Sequence, residues 1–503
     1  MSAPEPIRVT NPATGEAIAE VPAADAAAVE AAVARARAAQ PAWGALPFGE
    51  RARRLRRFAR ALRDDGQLID TLVAENGKSR YEAELIELFY TLELTRYYTG
   101  RAGRRALGDE LRHPLVFANK RARVVRHPRG VVGVIGPWNF PLLNNYADCI
   151  GPLVAGNAVV LKPSDRTPLT SLRIGELWKT HGLPEGVFGV VAGRGEAGAA
   201  LAAAADMIFF TGSPGVGKQV AATAAARLIP AVLELGGKSA MIVLRDADLP
   251  RAARAAVWSG FAGSGQVCIR TERVLVEAPA VEKFLALCVE EIGRLRQAPP
   301  ARDRPGEAAV DIGAVTFAPQ IERAERQIAD AVARGGRVLT GGARRADLPG
   351  QFFAPTLIAD ATADMAVMRE ETFGPVLPVM RVADAEEAVR IANDSPLGLS
   401  GSVWSADVEK ARALARRIET GSLCVNDALF NYFCVEAPLG GIKGSGLGFR
   451  HGPEALQQFC RIETIVEDRP ILGLLSPFVA RQLSFPYRSR TIRLLRRFMR
   501  WFY

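Results

Sequence analysis

An α/β fold carrying a parallel, doubly wound sheet is what the sequence predicts, and two observations predict it. Beyond Gly130, short apolar runs alternate with helical stretches, and each run ends in a turn bearing glycine or proline. A second series of the same kind opens at Ala240-Met241-Ile242-Val243-Leu244 and continues to about Val425. Neither an internal repeat of about 20–50 residues nor a low-complexity linker separates the two series.

The elements follow in order. From Ala23 to about Arg63 the pattern is that of an alanine-rich helix, whose arginines at 51, 53, 54, 56, 57, 60 and 63 form a solvated basic face. Val131-Val132-Gly133-Val134-Ile135 reads as a buried strand of β-branched residues that breaks at Gly136-Pro137-Trp138-Asn139-Phe140-Pro141. Val159-Val160-Leu161 then leads into Lys162-Pro163-Ser164-Asp165, and Val187-Phe188-Gly189-Val190-Val191 into Gly193-Arg194-Gly195. Met207-Ile208-Phe209-Phe210 leads into Thr211-Gly212-Ser213.

Composition bounds the class. With 503 residues, 49% of them hydrophobic, the chain has room for two or three domains with sizeable cores. No run reaches the ~18 apolar residues of a membrane span. Residues Met1 to Pro6 lack the basic and apolar regions of a secretory signal, so a cytoplasmic protein is expected. Six cysteines (149, 268, 288, 424, 434, 460) show no CxxC spacing and four histidines are scattered without HExxH, so no metal site is expected. Residues 469–503 hold eight arginines and no acid, which leaves 56 basic against 54 acidic residues elsewhere. The basic excess therefore describes a tail, and it argues against a nucleic-acid-binding core.

The chemistry is concentrated in three short stretches. Cys268, in Gly265-Gln266-Val267-Cys268, lies 34 residues after Glu234, in Leu233-Glu234-Leu235-Gly236-Gly237-Lys238. A thiolate attacks carbonyl carbon, and a carboxylate removes a proton from a thiol or from water, so the pair points to covalent acyl chemistry. Asn139, at a strand end, adds an amide N–H suited to an oxyanion. Thr211–Lys218 contains Gly212, Gly217 and Lys218 in the GxxxxGK spacing of a nucleotide P-loop, but position 219 is Gln where that loop needs Ser or Thr for magnesium. The stretch is better read as a strand-to-helix turn whose glycines bring N–H groups to a pyrophosphate.

Pro137-Trp138-Asn139-Phe140-Pro141, Glu234-Leu235-Gly236-Gly237-Lys238, Gly265-Gln266-Val267-Cys268 and Glu371-Thr372-Phe373-Gly374-Pro375-Val376 resemble, in order and approximate spacing, the motifs of the NAD(P)-dependent aldehyde dehydrogenase superfamily. The resemblance runs from about Asn11 to about Glu463. It implies a Rossmann-type dinucleotide-binding domain (1–112 and 131–237), an α/β catalytic domain (238–455) and a small β bridging and oligomerisation element (113–130 and 456–468), followed by a basic amphipathic tail (469–503). It implies catalytic roles for Cys268, Glu234 and Asn139, and cofactor contacts from Trp138, Lys162, Asp165, Gly212, Ser213, Gly217, Glu371 and Phe373. A carboxylate at 165 bonds the ribose 2′-OH of NAD and repels the 2′-phosphate of NADP. Many members have Glu there, and the shorter Asp165 leaves both cofactors open, with NAD ahead. A homodimer or homotetramer is expected.

In that reading Cys268 forms a thiohemiacetal and then a thioester, and Glu234 activates the water that releases the acid. Coenzyme A as acyl acceptor, and a non-catalytic relative kept for binding, are the alternatives. The arginines of succinic-semialdehyde members fall at Ala147 and Ala262 here, so an apolar aliphatic or aromatic aldehyde is expected, with Leu142, Leu143, Trp258, Phe261, Phe430, Tyr432 and Phe433 as candidate walls. A semialdehyde is the runner-up, through Arg270 or Arg450. In the tail, Pro470–Ala480 is apolar but short and broken by proline. Beyond it Ile492, Leu494, Leu495, Phe498, Met499 and Phe502 interleave with Arg493, Arg496, Arg497 and Arg500, and Trp501 and Tyr503 end the chain. That pattern fits an interfacial helix on an anionic membrane, or packing on a neighbouring subunit.

Overall fold

A computed structural model describes residues 4–300, 310–470 and 472–502. Met1–Ala3, Ile471 and Tyr503, and the side chain of Phe502, lie outside what is described. The chain forms two compact units, residues 1–106 with 128–459, and residues 107–127 with 460–503.

The larger unit holds two large sheets, besides the two-stranded pairs Ile7–Thr10 with Ala17–Val21 and Leu397–Gly398 with Ile442–Lys443. The first has six strands in the order Gly446–Leu447, Ala231–Glu234, Met207–Thr211, Val131–Ile135, Ala158–Lys162, Phe188–Val190. All neighbours are parallel except the Gly446–Leu447 edge. Strands buried on both faces need continuous apolar sequence, and Val131–Ile135, Ala158–Lys162 and Met207–Thr211 are buried at every position. Helices such as Gly195–Ala204 and Pro214–Ala226 return the chain between strands. The chain order doubles back between Val131–Ile135 and Met207–Thr211, and ligands of such sheets bind at that switch point, beyond the strands' carboxyl ends. The second sheet has seven strands, with Ala240–Val243 and Arg273–Glu277 paired in parallel near its centre.

The expected 23–63 helix is two helices, Ala26–Ala45 and Phe48–Asp64, because Pro47 disfavours helical geometry at Leu46 and lacks the N–H to continue. Its basic face is also not wholly solvated. Arg51 is buried and donates from Nε to the Val154 carbonyl at 3.0 Å.

The smaller unit is a three-stranded sheet in the order Cys460–Asp468, Lys120–Pro128, Glu110–Arg112. Of the expected bridging element at 113–130 and 456–468, residues 120–128 and 460–468 are strands, residues 456–458 belong to helix Gly452–Gln458, and Glu110–Arg112 adds a strand just before the expected bounds. Lys120–Asp468, Arg121–Glu467 and His127–Glu463 tie its long strands at 2.5, 2.6 and 2.7 Å. Ile462 and Val466 remain more than half exposed. The tail folds into helices Ser476–Leu483 and Ser489–Phe502, and Asn119 Nδ2 donates to Ser476 Oγ at 2.7 Å. Along the second helix Ile492, Leu494, Leu495, Met499 and Trp501 are all exposed. Among the described residues no helix is long and apolar enough to cross a membrane.

Candidate active site

The loop after Val131–Ile135 carries Trp138 and Asn139, and the loop after Met207–Thr211 carries Gly212 and Ser213, so the switch point brings two sequence motifs to one crevice. Asn139 is held from both sides. Its carbonyl accepts from Lys78 Nζ at 2.9 Å, and its Nδ2 donates to the Gln266 carbonyl at 2.8 Å, two residues before Cys268. Lys78 is itself buried against Glu87, whose other oxygen accepts from the backbone N–H groups of Leu142 and Leu143 at 2.9 and 3.1 Å. Lys78 and Glu87 belong to no motif that singled them out in the sequence. Their role depends entirely on contacts across more than 50 residues.

The turn that carries Cys268 is built on helix Leu249–Phe261, whose first turn is capped by the Asp248 carboxylate. Three successive left-handed residues follow, Gly263, Ser264 and Gly265, with φ of 56°, 58° and 73°. A Cβ on Gly265 would sit 2.2 Å from the Gly374 carbonyl oxygen, so only glycine fits there. Ser264 accepts a strained conformation because its Oγ donates to the Gly313 carbonyl at 3.0 Å. The turn places Cys268 in a cavity lined by Phe140, Leu143, Trp258, Ala262, Tyr432 and Phe433 among others, with no ionised side chain in the wall. Of the candidate wall residues, Phe261 and Phe430 line a neighbouring outer cleft instead. Leu142 is fully buried and lines neither cavity.

Burial pushes the Cys268 thiol up to about 12, opposed by the charge of Arg450. The same desolvation raises Glu234 to about 8, again opposed by Arg450. Glu234 is buried at the end of strand Ala231–Glu234, and its Oε1 has no hydrogen-bond partner among the described residues. That leaves one oxygen able to accept a proton. Arg450 reaches the site from behind. Its Nη1 donates to Asn144 Oδ1 at 2.8 Å and Tyr432 Oη at 3.1 Å, and its Nη2 to Asp148 at 3.0 Å and Thr211 Oγ1 at 2.8 Å, the strand neighbour of Glu234.

One further carboxylate joins the motifs. Glu272, absent from the sequence expectations, is buried between Lys238 at 2.6 Å and Arg270 at 2.7 Å, and it accepts from the N–H groups of Thr372 and Phe373, both at 3.1 Å. Despite burial, these two cations hold it down to about 2. Phe373, at φ 53°, packs edge-on against Trp138 at 5.5 Å. Glu371 accepts from the Gly237 N–H at 2.9 Å, and burial raises it to about 7.

The residues expected to hold a dinucleotide have the chemistry to do so. Lys162 is nearly buried at the end of its strand, its Nζ has no hydrogen bond or ion pair among the described residues, and the Asp165 carboxylate follows on the same turn. An ammonium beside a carboxylate suits ribose hydroxyls. Ser213 caps the helix Pro214–Ala226 and is exposed, which leaves the helix N-terminus open to an anion. Gly212 makes the turn before it. Gly217 is needed for packing, since its Cβ would meet Leu235 at 2.5 Å.

A family model described as "Aldehyde dehydrogenase family" matches residues 1–465. The chain belongs to the aldehyde dehydrogenase family and is an NAD(P)-dependent oxidoreductase. It is 39% identical to the 4,4'-diapolycopene aldehyde oxidase of Methylomonas sp over 90% of this chain and 84% of that protein. It is 37% identical to a Mycobacterium tuberculosis (strain ATCC 25618 / H37Rv) protein bearing the provisional name succinate-semialdehyde dehydrogenase [NADP(+)] 2, over 92% of this chain and 89% of that one. The crystal structure of Mycobacterium tuberculosis aldehyde dehydrogenase complexed with NAD+ superimposes with a TM-score of 0.86 at 37% identity, covering 92% of this chain and 95% of that chain.

The buried clamp yields a stability prediction. Glu272→Ala leaves Lys238 and Arg270 uncompensated in the interior and should destabilise the enzyme by about 3–5 kcal/mol. A thermal midpoint within error of the wild type would show that the clamp contributes nothing.

Proposed function

We propose that this enzyme oxidises an uncharged, apolar aldehyde to its carboxylic acid, with Cys268 as nucleophile, Glu234 as base and Asn139 as oxyanion donor. The observation that carries the substrate reading is the wall around Cys268, which is apolar or aromatic apart from Asn144 and the tyrosine hydroxyl of Tyr432. A carboxylate placed there would be desolvated without a counter-ion. Arg270 is turned to Glu272 and to the Gly260 and Val376 carbonyls, and Arg450 holds Asn144, Tyr432, Asp148 and Thr211. A semialdehyde remains the second reading, favoured by the name of the mycobacterial relative.

Cys268 attacks as the thiolate, its proton released to solvent water: Sγ bonds to the aldehyde carbon and the carbonyl electrons move to oxygen. The Asn139 N–H not engaged by Gln266, with the Cys268 N–H, meets that oxyanion. The bound nicotinamide dinucleotide supplies the hydride acceptor, held by Trp138, Lys162, Asp165, Gly212, Ser213, Gly217, Glu371 and Phe373. Loss of hydride restores the C=O bond as a thioester. Glu234 then takes a proton from water, the new C–O bond forms, the C–S bond breaks and the acid leaves. A base in reach of the thioester favours water over coenzyme A as acceptor.

The tail reading is a membrane surface that attracts its arginines while Ile492, Leu495 and Met499 enter the headgroup region. The apolar face left open on the Cys460–Asp468 strand supports a homodimer or homotetramer.

Cys268→Ala should cut kcat by more than about 10³-fold while NAD⁺ still binds in a fluorescence titration; a smaller loss removes the covalent role. Glu234→Gln should keep a burst of reduced cofactor but slow turnover. Because the Glu234 carboxyl is raised to about 8, it is protonated below that pH, so wild-type deacylation should rise with pH and reach half its plateau near 8. A rate already flat from pH 6 would exclude it as the base.

Asp165→Ala should weaken NAD⁺ use more than NADP⁺ use, read as the ratio of kcat/KM values. Equal effects would place Asp165 away from the 2′ position. Full-length protein should sediment with anionic vesicles at low salt and less at high salt, whereas 1–468 should not. If full-length protein stays in solution at both salts and 1–468 becomes monomeric, the tail serves assembly.

A further inference from the structure

The reading as an apolar-aldehyde dehydrogenase leaves a second feature unexplained. Beside the Cys268 cavity lies a cleft of about 950 Å³, and the two share Ile86, Trp258, Ala262 and Phe433 in their walls. Its volume is at the upper end of the roughly 300–1,000 Å³ that encloses whole ligands. A small aldehyde occupies only the narrow part beside the thiol and leaves this cleft to water.

The cleft wall is unusually apolar for an exposed surface. Tyr81, Leu85, Phe89, Trp258 and Phe430 line it with 63%, 43%, 58%, 38% and 52% of their surface accessible. Large side chains of this kind gathered in one exposed patch mark a binding surface. The π-helical turn Ala83–Phe89 produces the arrangement. It directs Leu85 and Phe89 into the cleft while Glu87, on the same turn, points inward to Lys78 and the Leu142 and Leu143 N–H groups. The arginines around the cleft are already matched. Glu93 pairs with Arg96, Glu291 with Arg294 at 2.9 Å, Asp311 with Arg296 at 2.9 Å, and Glu82 accepts from the Gly263 N–H at 2.6 Å. Arg254 lies 3.7 Å from Glu291, so each arginine of the wall has a carboxylate partner, while the buried Glu82 Oε2 has no hydrogen-bond partner among the described residues.

We propose that this cleft is the binding site for the hydrocarbon portion of a long, uncharged aldehyde, whose carbonyl reaches Cys268 through the shared Ile86–Trp258–Phe433 constriction. The occupant is argued from continuity with the reactive thiol: a chain anchored at Cys268 and longer than its cavity has this apolar surface as its neighbour. Specificity for length then resides in Leu85, Phe89 and Phe430, far from the chemistry. Binding there is uniform between ground and transition states, so it lowers KM and leaves kcat nearly unchanged.

The test uses the full-length enzyme with NAD⁺ and the straight-chain aldehydes butanal, hexanal, octanal, decanal and dodecanal, with cofactor reduction as readout. KM should fall about three- to fourfold for each added methylene that reaches the cleft, until it is filled. In Leu85→Lys and Phe89→Gln, made singly, the dodecanal-to-butanal ratio of kcat/KM should fall at least tenfold, and Leu85→Met should restore it. Thermal midpoints and NAD⁺ affinity report whether each variant is folded. A wild-type enzyme that oxidises butanal with kcat/KM flat across the series overturns the inference and leaves the dehydrogenase reading standing. Failure to oxidise any aldehyde of the series overturns both. Variants that change the sedimentation state but not the length ratio assign the cleft to a second copy of the chain instead.

Discussion

The site depends on one buried carboxylate. Glu272 binds Lys238, which follows Gly236-Gly237 beside Glu234; Arg270, two residues past Cys268; and the backbone N–H groups of Thr372 and Phe373 in the fourth motif. Groups up to 101 residues away from Glu272 thus share it as a single acceptor. An isolated ion in that position would be prohibitively costly, so the carboxylate is stable only while its partners stay in place. That mutual requirement makes the motif loops one rigid object. It also lets Phe373 keep a left-handed backbone and stand against Trp138.

A second buried pair does the same for the oxyanion loop. Lys78 and Glu87 grip the Asn139 carbonyl and the N–H groups after Pro141. Because Glu87 sits on the turn whose Leu85, Ile86 and Phe89 line the outer cleft, the position of the Asn139 loop and the shape of the cleft are set by the same seven residues, Ala83–Phe89. Substitution in the cleft is therefore safest at Leu85 and Phe89, which face outward, and hazardous at Glu87, which does not.

Electrostatics at the reacting centre is a contest between desolvation and a single guanidinium. Cys268 and Glu234 are both driven towards their neutral forms by burial, and Arg450 opposes this at each. Arg450 can serve both because Thr211, one of its acceptors, is the strand neighbour of Glu234, while Asn144 and Tyr432, two others, line the thiol cavity. The burial around Cys268 and Glu234 is thus what makes the carboxyl weakly acidic and the thiol hard to ionise.

The parallel sheet and the strand-end turns were legible in the sequence, because β-branched runs, prolines and glycines act through local backbone preferences; the expectation for Cys268, Glu234 and Asn139 rests on the chemistry of their own functional groups. The alternation after Gly130 was enough to foresee the strands at Val131–Ile135 and Met207–Thr211. Pro47 was also visible, yet the helix it splits was read as one, since alanine-rich periodicity continues on both sides. Only the tertiary structure decided that Arg51 is buried, that Leu142 faces the core and not the substrate, and that Arg270 and Arg450 are already engaged. It alone singled out Lys78, Glu87 and Glu272, whose side chains look like ordinary surface charges in sequence. The physical reason is that desolvation and charge pairing depend on which residues from distant parts of the chain share a low-dielectric volume, and no local pattern records that.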